Sequence, residues 1–289
     1  MIVVTGGNGQ LGRSVVERLL ERVPAELVGV SVREPERAGE LAERGVRVRR
    51  GDFADPASLA HAFAGADQLL LVSVDAIGEP AVAAHRAAIE AARTAGVGRI
   101  LYTSHMGASP TSRFAPMPDH AATEAALQES GVAYTSLRNG FYASSAVMQL
   151  GAATRTGVLA APEDGPVSWT VHADLAEVAA RVLTEGGFDG PTPALTADEA
   201  VDLTGVAELA SEITGREIRR VVMTEAEYRE SLLGHGLPAG AADMLVGMFA
   251  ASRAGEFAAV DPTLPRLLGR PTTPLREVLR LALAPALAT

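Results

Sequence analysis

Short apolar runs recur through the first half of the chain, at residues 2–5, 27–32, 46–49, 68–74, 98–104 and 132–138. Each is short enough to cross a sheet as a buried strand. Between them the apolar positions recur every three or four residues, which predicts amphipathic helices over 11–22, 36–44, 56–64, 80–95 and 119–130. Asp55-Pro56 and Asp119 stand where helix starts require a cap or a first-turn proline or acid. Strand and helix in strict alternation define an α/β, Rossmann-type, doubly wound parallel sheet. After about residue 140 the rhythm changes: glycines and prolines at 157, 165, 186, 187, 190, 191 and 193 separate shorter elements. Helices are predicted there over 174–185, 203–214, 225–235 and 240–252, with a strand near 217–223 and a proline-rich tail from Pro262 to Pro274. The expected division is therefore a sheet domain over 1–140 and a smaller α/β lobe over 141–289 whose chain crosses back to the sheet.

Ligands of such sheets lie beyond the carboxyl ends of the strands, so the turns that follow each strand carry the candidate chemistry. The first is the most informative. Ile2-Val3-Val4-Thr5 runs into Gly6-Gly7-Asn8-Gly9-Gln10-Leu11-Gly12 and then into a helix. A diphosphate needs donors without bulk. Gly6 and Gly9 let the backbone approach it, Gly12 lets the helix pack closely, and the helix N-terminus aims its free N–H groups at the anion. The spacing is Gly-x-x-Gly-x-x-Gly rather than the Gly-x-Gly-x-x-Gly of the dehydrogenase fingerprint. At the second tip Arg33 stands about twenty residues beyond the last glycine, where an acid would hold the ribose 2′-hydroxyl of NAD; a guanidinium grips a 2′-phosphate instead. NADP is favoured over NAD, with Glu34 as the competing reading and Arg37 as a solvated helix charge. Asp52, beside Phe53, is placed to meet an adenine, or else belongs to an ordinary turn capped by Asp55. Ser73, Val74 and Asp75 form the tip expected under the nicotinamide-side ribose.

Candidate catalytic residues follow the fifth and sixth strands. His120 and Glu124 occupy the helix in which a carbonyl reductase would carry its tyrosine and lysine, so His120 is a candidate proton donor. Asn139 can bond a carboxamide in both senses, Gly140 permits close approach, and Phe141 or Tyr142 can stack on a flat ring or close a substrate cavity.

Composition removes several alternatives. The 25 basic residues are all arginine. Schiff-base enzymes, P-loop nucleotidases and Tyr-x-x-x-Lys reductases all need a lysine that this chain lacks. With no cysteine there is no thiolate nucleophile or disulfide. The six histidines, at 61, 85, 105, 120, 172 and 235, form no metal-ligand pattern, so no catalytic metal is expected. A net charge of −10 disfavours a nucleic-acid partner. No apolar run is long enough to span a bilayer, the first strand leaves no room for a signal peptide, and a cytoplasmic protein with no membrane partner is expected. Composition leaves the oligomeric state, a homodimer included, open.

Taken together, Thr5-to-Gly12, Val32-Arg33-Glu34-Pro35, Gly51-Asp52-Phe53, Tyr102-Thr103-Ser104, His120-x-x-x-Glu124 and Leu137-Arg138-Asn139-Gly140-Phe141-Tyr142 resemble the NmrA-like branch of the atypical short-chain dehydrogenase/reductases. Within it they resemble the bacterial NAD(P)H:quinone oxidoreductases. The resemblance extends through Asp174-Leu175-Ala176, Gly205, Gly215-Arg216 and the tail Gly269-Arg270-Pro271-Thr272-Thr273. It implies NADPH held by residues 6–11, Arg33, the 73–75 tip and residues 138–142, with hydride passed directly to a quinone or similar aromatic acceptor. It also implies two departures: family members carry a serine-rich tip where this chain has Val74 and Asp75, and an arginine where it has His172. Two other functions fit the same fold, a tailoring reductase of a polycyclic secondary metabolite and a non-catalytic NADP-binding redox sensor.

Overall fold

The computed structural model describes residues 1–287; the last two residues of the predicted 141–289 lobe lie outside them. In chain order the strands are β1 (Ile2–Thr5), β2 (Val28–Val32), β3 (Arg47–Arg50), β4 (Gln68–Leu71), β5 (Arg99–His105), β6 (Ala133–Asn139), β7 (Val158–Ala161), β8 (Gly190–Pro191) and β9 (Arg219–Val222). The helices are α1 (Gln10–Leu20), α2 (Gly39–Glu43), α3 (Pro56–Phe63), α4 (Glu79–Thr94), α5 (Pro116–Glu129), α6 (Ala143–Gln149), α7 (Ala153–Thr156), α8 (His172–Glu185), α9 (Leu203–Thr214), α10 (Glu225–Gly234), α11 (Ala239–Arg253), α12 (Thr263–Leu268) and α13 (Leu275–Leu287).

The chain forms two compact units. The first comprises Met1–Pro110, Pro118–Asn139 and His172–Pro193, and the second comprises Thr111–Met117, Gly140–Val171 and Ala194–Thr289. In the first, seven strands pair in parallel in the order β3-β2-β1-β4-β5-β6-β8. Sequential strands diverge to either side of the β1/β4 boundary, the switch point at which doubly wound sheets bind ligands. One face of the sheet is covered by α3, α4 and α5. Leu59, Phe63, Ile89 and Leu127 pack there on Val3, Leu69, Leu71, Ile100 and Tyr102. On α1 the buried residues Leu11, Val15, Val16 and Leu19 repeat at helical spacing, and α8 packs against this helix.

The second unit holds the parallel pair β7-β9 and an aromatic core in which Phe141 touches Phe114, Trp169 and Phe257, with ring centroids 4.8–5.9 Å apart. A buried Arg220–Asp164 pair at 3.1 Å fastens β9, the guanidinium also donating to the carbonyl of Ala161 at 2.7 Å.

Three of the expected segments take a different form in the structure. The run 68–74 leaves the sheet after Leu71, because the next N–H groups are taken by side chains: Val72 N donates to Thr5 Oγ1 at 2.8 Å and Ser73 N to Thr103 Oγ1 at 2.9 Å. The predicted helix 36–44 opens as a 3-10 turn at Pro35–Ala38 before α2. The proline-rich tail contains α12, which takes Pro265 within its first turn and ends at Gly269 in the left-handed conformation, φ 72°. Among the described residues no helix is long and apolar enough to cross a membrane.

Candidate cofactor and active site

Beyond the carboxyl ends of β1, β2, β3 and β4 the first unit opens a cavity of about 790 Å³. It brings together Gly6, Asn8, Gly9, Arg33, Asp52, Ser73, Val74 and Asp75, all named from the sequence. Gly6 turns the chain in the left-handed region, φ 63°, and its carbonyl receives the Gly9 N–H at 2.8 Å. α1 then starts with no side-chain cap and no acid in its first turn, so the N–H groups of Gln10, Leu11 and Gly12 have no capping acceptor. A Cβ on Gly12 would stand 2.3 Å from the Gly6 carbonyl oxygen, and one on Gly7 2.8 Å from Val30 Cγ1. The turn is thus held tight against strand and helix, with donors and a helix dipole aimed at one point. Asn8 Nδ2 donates to the Glu34 carbonyl at 3.0 Å, while its Oδ1 is buried with no partner among the described residues.

At the second tip two charges that compete in the sequence are separated. Glu34 accepts from Arg37 at 2.9 Å, which raises the Arg37 pKa, and Arg33 has no ion pair among the described residues. Arg33 is exposed and lines the cavity, so its planar fork is available to an anion there. Asp52 is more committed: its Oδ1 accepts from Ala54 N at 3.0 Å and its Oδ2 lies 3.5 Å from Arg50. Asp55 caps α3 through Ser58 N at 3.3 Å.

The tip after β4 is bound on its inner side. Val72, Ser73 and Val74 donate in turn to Thr5, Thr103 and His85, the last bond being 3.1 Å to Nε2. Three consecutive N–H groups are therefore unavailable to a phosphate. Asp75 is exposed at the cavity edge.

The ends of β5 and β6 carry the other candidates. Ser104 Oγ donates to Glu124 Oε1 at 2.7 Å, and Arg138 grips the same carboxylate in bidentate fashion at 3.1 and 2.7 Å. Glu124 is 8 % exposed. Arg138, expected at the cofactor, thus has its guanidinium turned to α5, and hydrogen bonding to Glu124 raises its pKa. His120 Nδ1 lies 2.7 Å from the buried Tyr102 hydroxyl, and its ring stacks on His105 with centroids 6.1 Å apart. Burial pushes the His120 pKa down to about 4 and, with the His120 charge adding to the burial, that of His105 to about 3. Asn139 is 2 % exposed, and its Oδ1 has no partner among the described residues. Gly140, Phe141 and Tyr142 belong to the second unit. There Gly140 N donates to the Leu195 carbonyl at 2.8 Å, Phe141 is committed to the aromatic core, and Tyr142 bridges Thr170. His172 opens α8, half-buried, with its pKa lowered by burial.

Sequence reasoning passed over His85, one of six scattered histidines. A signal was present. Ala81, Val82, His85, Ala88, Ile89 and Ala92 form the buried stripe of α4, and His85 is its one polar member. Its pKa is pushed down to about 4 by burial and by the nearby His120. A histidine kept neutral in the folded state but titrating near 6.5 when unfolded makes the unfolded chain bind more protons between these values, so stability is lost as the pH is lowered through that window. For His85 alone the loss approaches about 3 kcal/mol by pH 4. Urea unfolding from neutral pH down to about pH 4.5 checks this: the midpoint should fall from about pH 6.5, and less steeply in His85→Gln.

Fold and site together define a dinucleotide-binding protein of the doubly wound class. The chain belongs to the NAD(P)H-binding family, whose model matches residues 6–186. It is 39% identical over 278 residues to quinone oxidoreductase 2 of Escherichia coli strain K12, covering 96% of both chains. The crystal structure of the NADPH-dependent quinone oxidoreductase of Escherichia coli in complex with NADPH superposes with a TM-score of 0.91 at 38% identity, over 96% of this chain and 98% of that one. The Citrobacter sp. triphenylmethane reductase complexed with NADP(H) matches with a TM-score of 0.91 at 34% identity, over 98% and 100% of the two chains. An NmrA-like family domain-containing oxidoreductase of Aspergillus flavus is 29% identical over 286 residues, 96% of this chain and 93% of that one.

Proposed function

We propose that this chain is an NADPH-dependent oxidoreductase whose acceptor is a quinone or a similarly electron-poor flat aromatic molecule. The observation that carries the acceptor class is the occupation of every group at the β5/α5 position that a carbonyl reductase would use as an acid. Ser104 donates to Glu124, Glu124 is saturated by Arg138, and Tyr102 is bonded to His120. His120, with its pKa near 4, is neutral at pH 7 and has no imidazolium proton to give. A ketone needs such a proton as its oxygen becomes an alkoxide. A quinone does not, because its reduced oxyanion is stabilised by the ring and takes a proton from water. Relatives named as quinone and triphenylmethane reductases, matched over nearly their whole length, support the same class.

Bound NADPH would supply the hydride, and the protein's contribution is binding and orientation. Gly6, Gly7, Asn8, Gly9, Gln10 and Leu11 hold the diphosphate in this reading, and Arg33 the 2′-phosphate. Asp52 meets the adenine end. Ser73 and Val74 support the nicotinamide-side ribose, and Asn139, with its unsatisfied Oδ1, accepts from the carboxamide. The glycine cradle, the unpaired guanidinium and the buried orphan acceptor of Asn139 fit that cofactor. Gly140, Phe141, Tyr142 and His172 are the remaining candidates, Tyr142 for the acceptor. A pH–rate profile is the test. With a naphthoquinone, kcat should vary little between about pH 6 and 8, and a simple ketone should not be reduced. A bell-shaped profile with ketone turnover would show that an acid operates.

A further inference from the structure

The segment between β4 and α4 is fastened to α5 by a relay whose proton directions are all determined. Val74 N–H has only one sense and donates to His85 Nε2 at 3.1 Å. That nitrogen is therefore unprotonated, and the proton of the neutral ring sits on Nδ1, 2.9 Å from Thr123 Oγ1. Thr123 in turn donates to the Asp119 carbonyl at 2.8 Å. A second tie runs in parallel: Gly78 N donates to Asp119 Oδ2 at 2.7 Å, and Gly78 takes the left-handed φ of 73° that lets the chain enter α4. Both ends of the 74–78 tip are thus referred to one residue of α5, and His85, which joins Val74 to Thr123, is 1 % exposed.

We propose that His85 is a positioning residue: as the Nδ1–H tautomer it fixes the Val74 backbone, and through it the Ser73–Asp75 edge of the cavity, at the height that NADPH requires. This rests on the reading that NADPH occupies that cavity. The groups facing the ring are His120 and Thr123 from α5, Tyr102 from β5, whose ring meets the imidazole edge-on at 5.3 Å between centroids, and Ser73 Oγ at 3.5 Å from Nε2. Burial holds the imidazole neutral at the pH of function, which keeps Nε2 an acceptor. Glutamine can reproduce the pattern, accepting from Val74 through Oε1 and donating to Thr123 through Nε2; alanine and leucine cannot.

The test uses the full chain. NADPH is titrated into the wild type, His85→Gln, His85→Leu and His85→Ala, and steady-state kinetics follow with a naphthoquinone. In His85→Leu and His85→Ala the NADPH dissociation constant and KM should rise about tenfold, the loss of one buried hydrogen bond, with the quinone KM unchanged. His85→Gln should stay within about threefold of the wild type. Nitrogen-15 spectra of the histidine-labelled wild type supply a readout independent of activity and of whether the variants fold. The His85 ring should be the Nδ1–H tautomer at neutral pH, and Thr123→Val should disturb it more than Thr123→Ser. An Nε2–H tautomer or an imidazolium overturns the proposal, as do folded leucine and glutamine variants that bind NADPH equally well. A wild type that does not bind NADPH overturns the cofactor reading instead, and the tautomer still decides the relay.

Discussion

Gly12→Ala is expected to abolish measurable NADPH binding and to lower stability by about 3 kcal/mol. The reason is local and steric. The new methyl would lie 2.3 Å from the Gly6 carbonyl oxygen, 2.8 Å from its carbon and 3.1 Å from the Thr5 oxygen, all backbone atoms of the turn. No side chain can swing away, so either α1 lifts from the strand or the turn opens. Both outcomes displace the N–H groups of Gln10 and Leu11 from the point where Gly6 and Gly9 bring the backbone close to an anion. A rise of at least about 100-fold in the NADPH dissociation constant follows from moving several aligned donors at once. Gly39→Ala is the matched control. A Cβ there meets nothing within 4 Å and its φ of −54° suits any residue, so it should be neutral or slightly stabilising. Calorimetric titration and thermal melting of both variants separate the cradle from a general intolerance of alanine.

Arg33→Ala should cut kcat/KM for NADPH by about 10- to 100-fold while leaving NADH nearly untouched, the range for losing a charge-assisted bond to a phosphate. The adjacent salt bridge makes this a clean experiment. Glu34 is already paired to Arg37 at 2.9 Å, so removing Arg33 neither frees a partner nor leaves a carboxylate newly exposed to the cofactor. Arg37→Ala, by contrast, would release Glu34 toward the cavity and should weaken NADPH and improve NADH in relative terms. Steady-state kinetics with both nucleotides measure each effect.

What could be read from the sequence is what depends on neighbours in the chain. The Gly6–Gly12 turn is legible because strand, glycines and helix are consecutive, and Arg33 because its distance from the turn is set by one helix and one strand. The strand boundary at Leu71 was not legible. Val72 and Val74 look as strand-like as Leu70, and only Thr5 and Thr103 on neighbouring strands decide that their N–H groups leave the ladder. The same holds for Arg138. Sequence position puts it at a ligand-side strand end, yet Glu124, fourteen residues earlier, claims its guanidinium, which only the packing of α5 on β6 reveals. In the sequence His120 carries only the ordinary pKa of histidine, and the burial that lowers it to about 4 is a tertiary property. The short elements α6, α7 and β7 escaped because four to seven residues carry too little periodicity to be seen.

The most direct measurement is the oxidation of NADPH, followed at its nicotinamide absorbance in the presence of benzoquinone, a naphthoquinone or no acceptor, with NADH in parallel. Quinone-dependent turnover that favours NADPH over NADH is the result predicted by the unpaired Arg33 and by a site whose acid position is closed. NADPH bound tightly with no turnover of any quinone would contradict it.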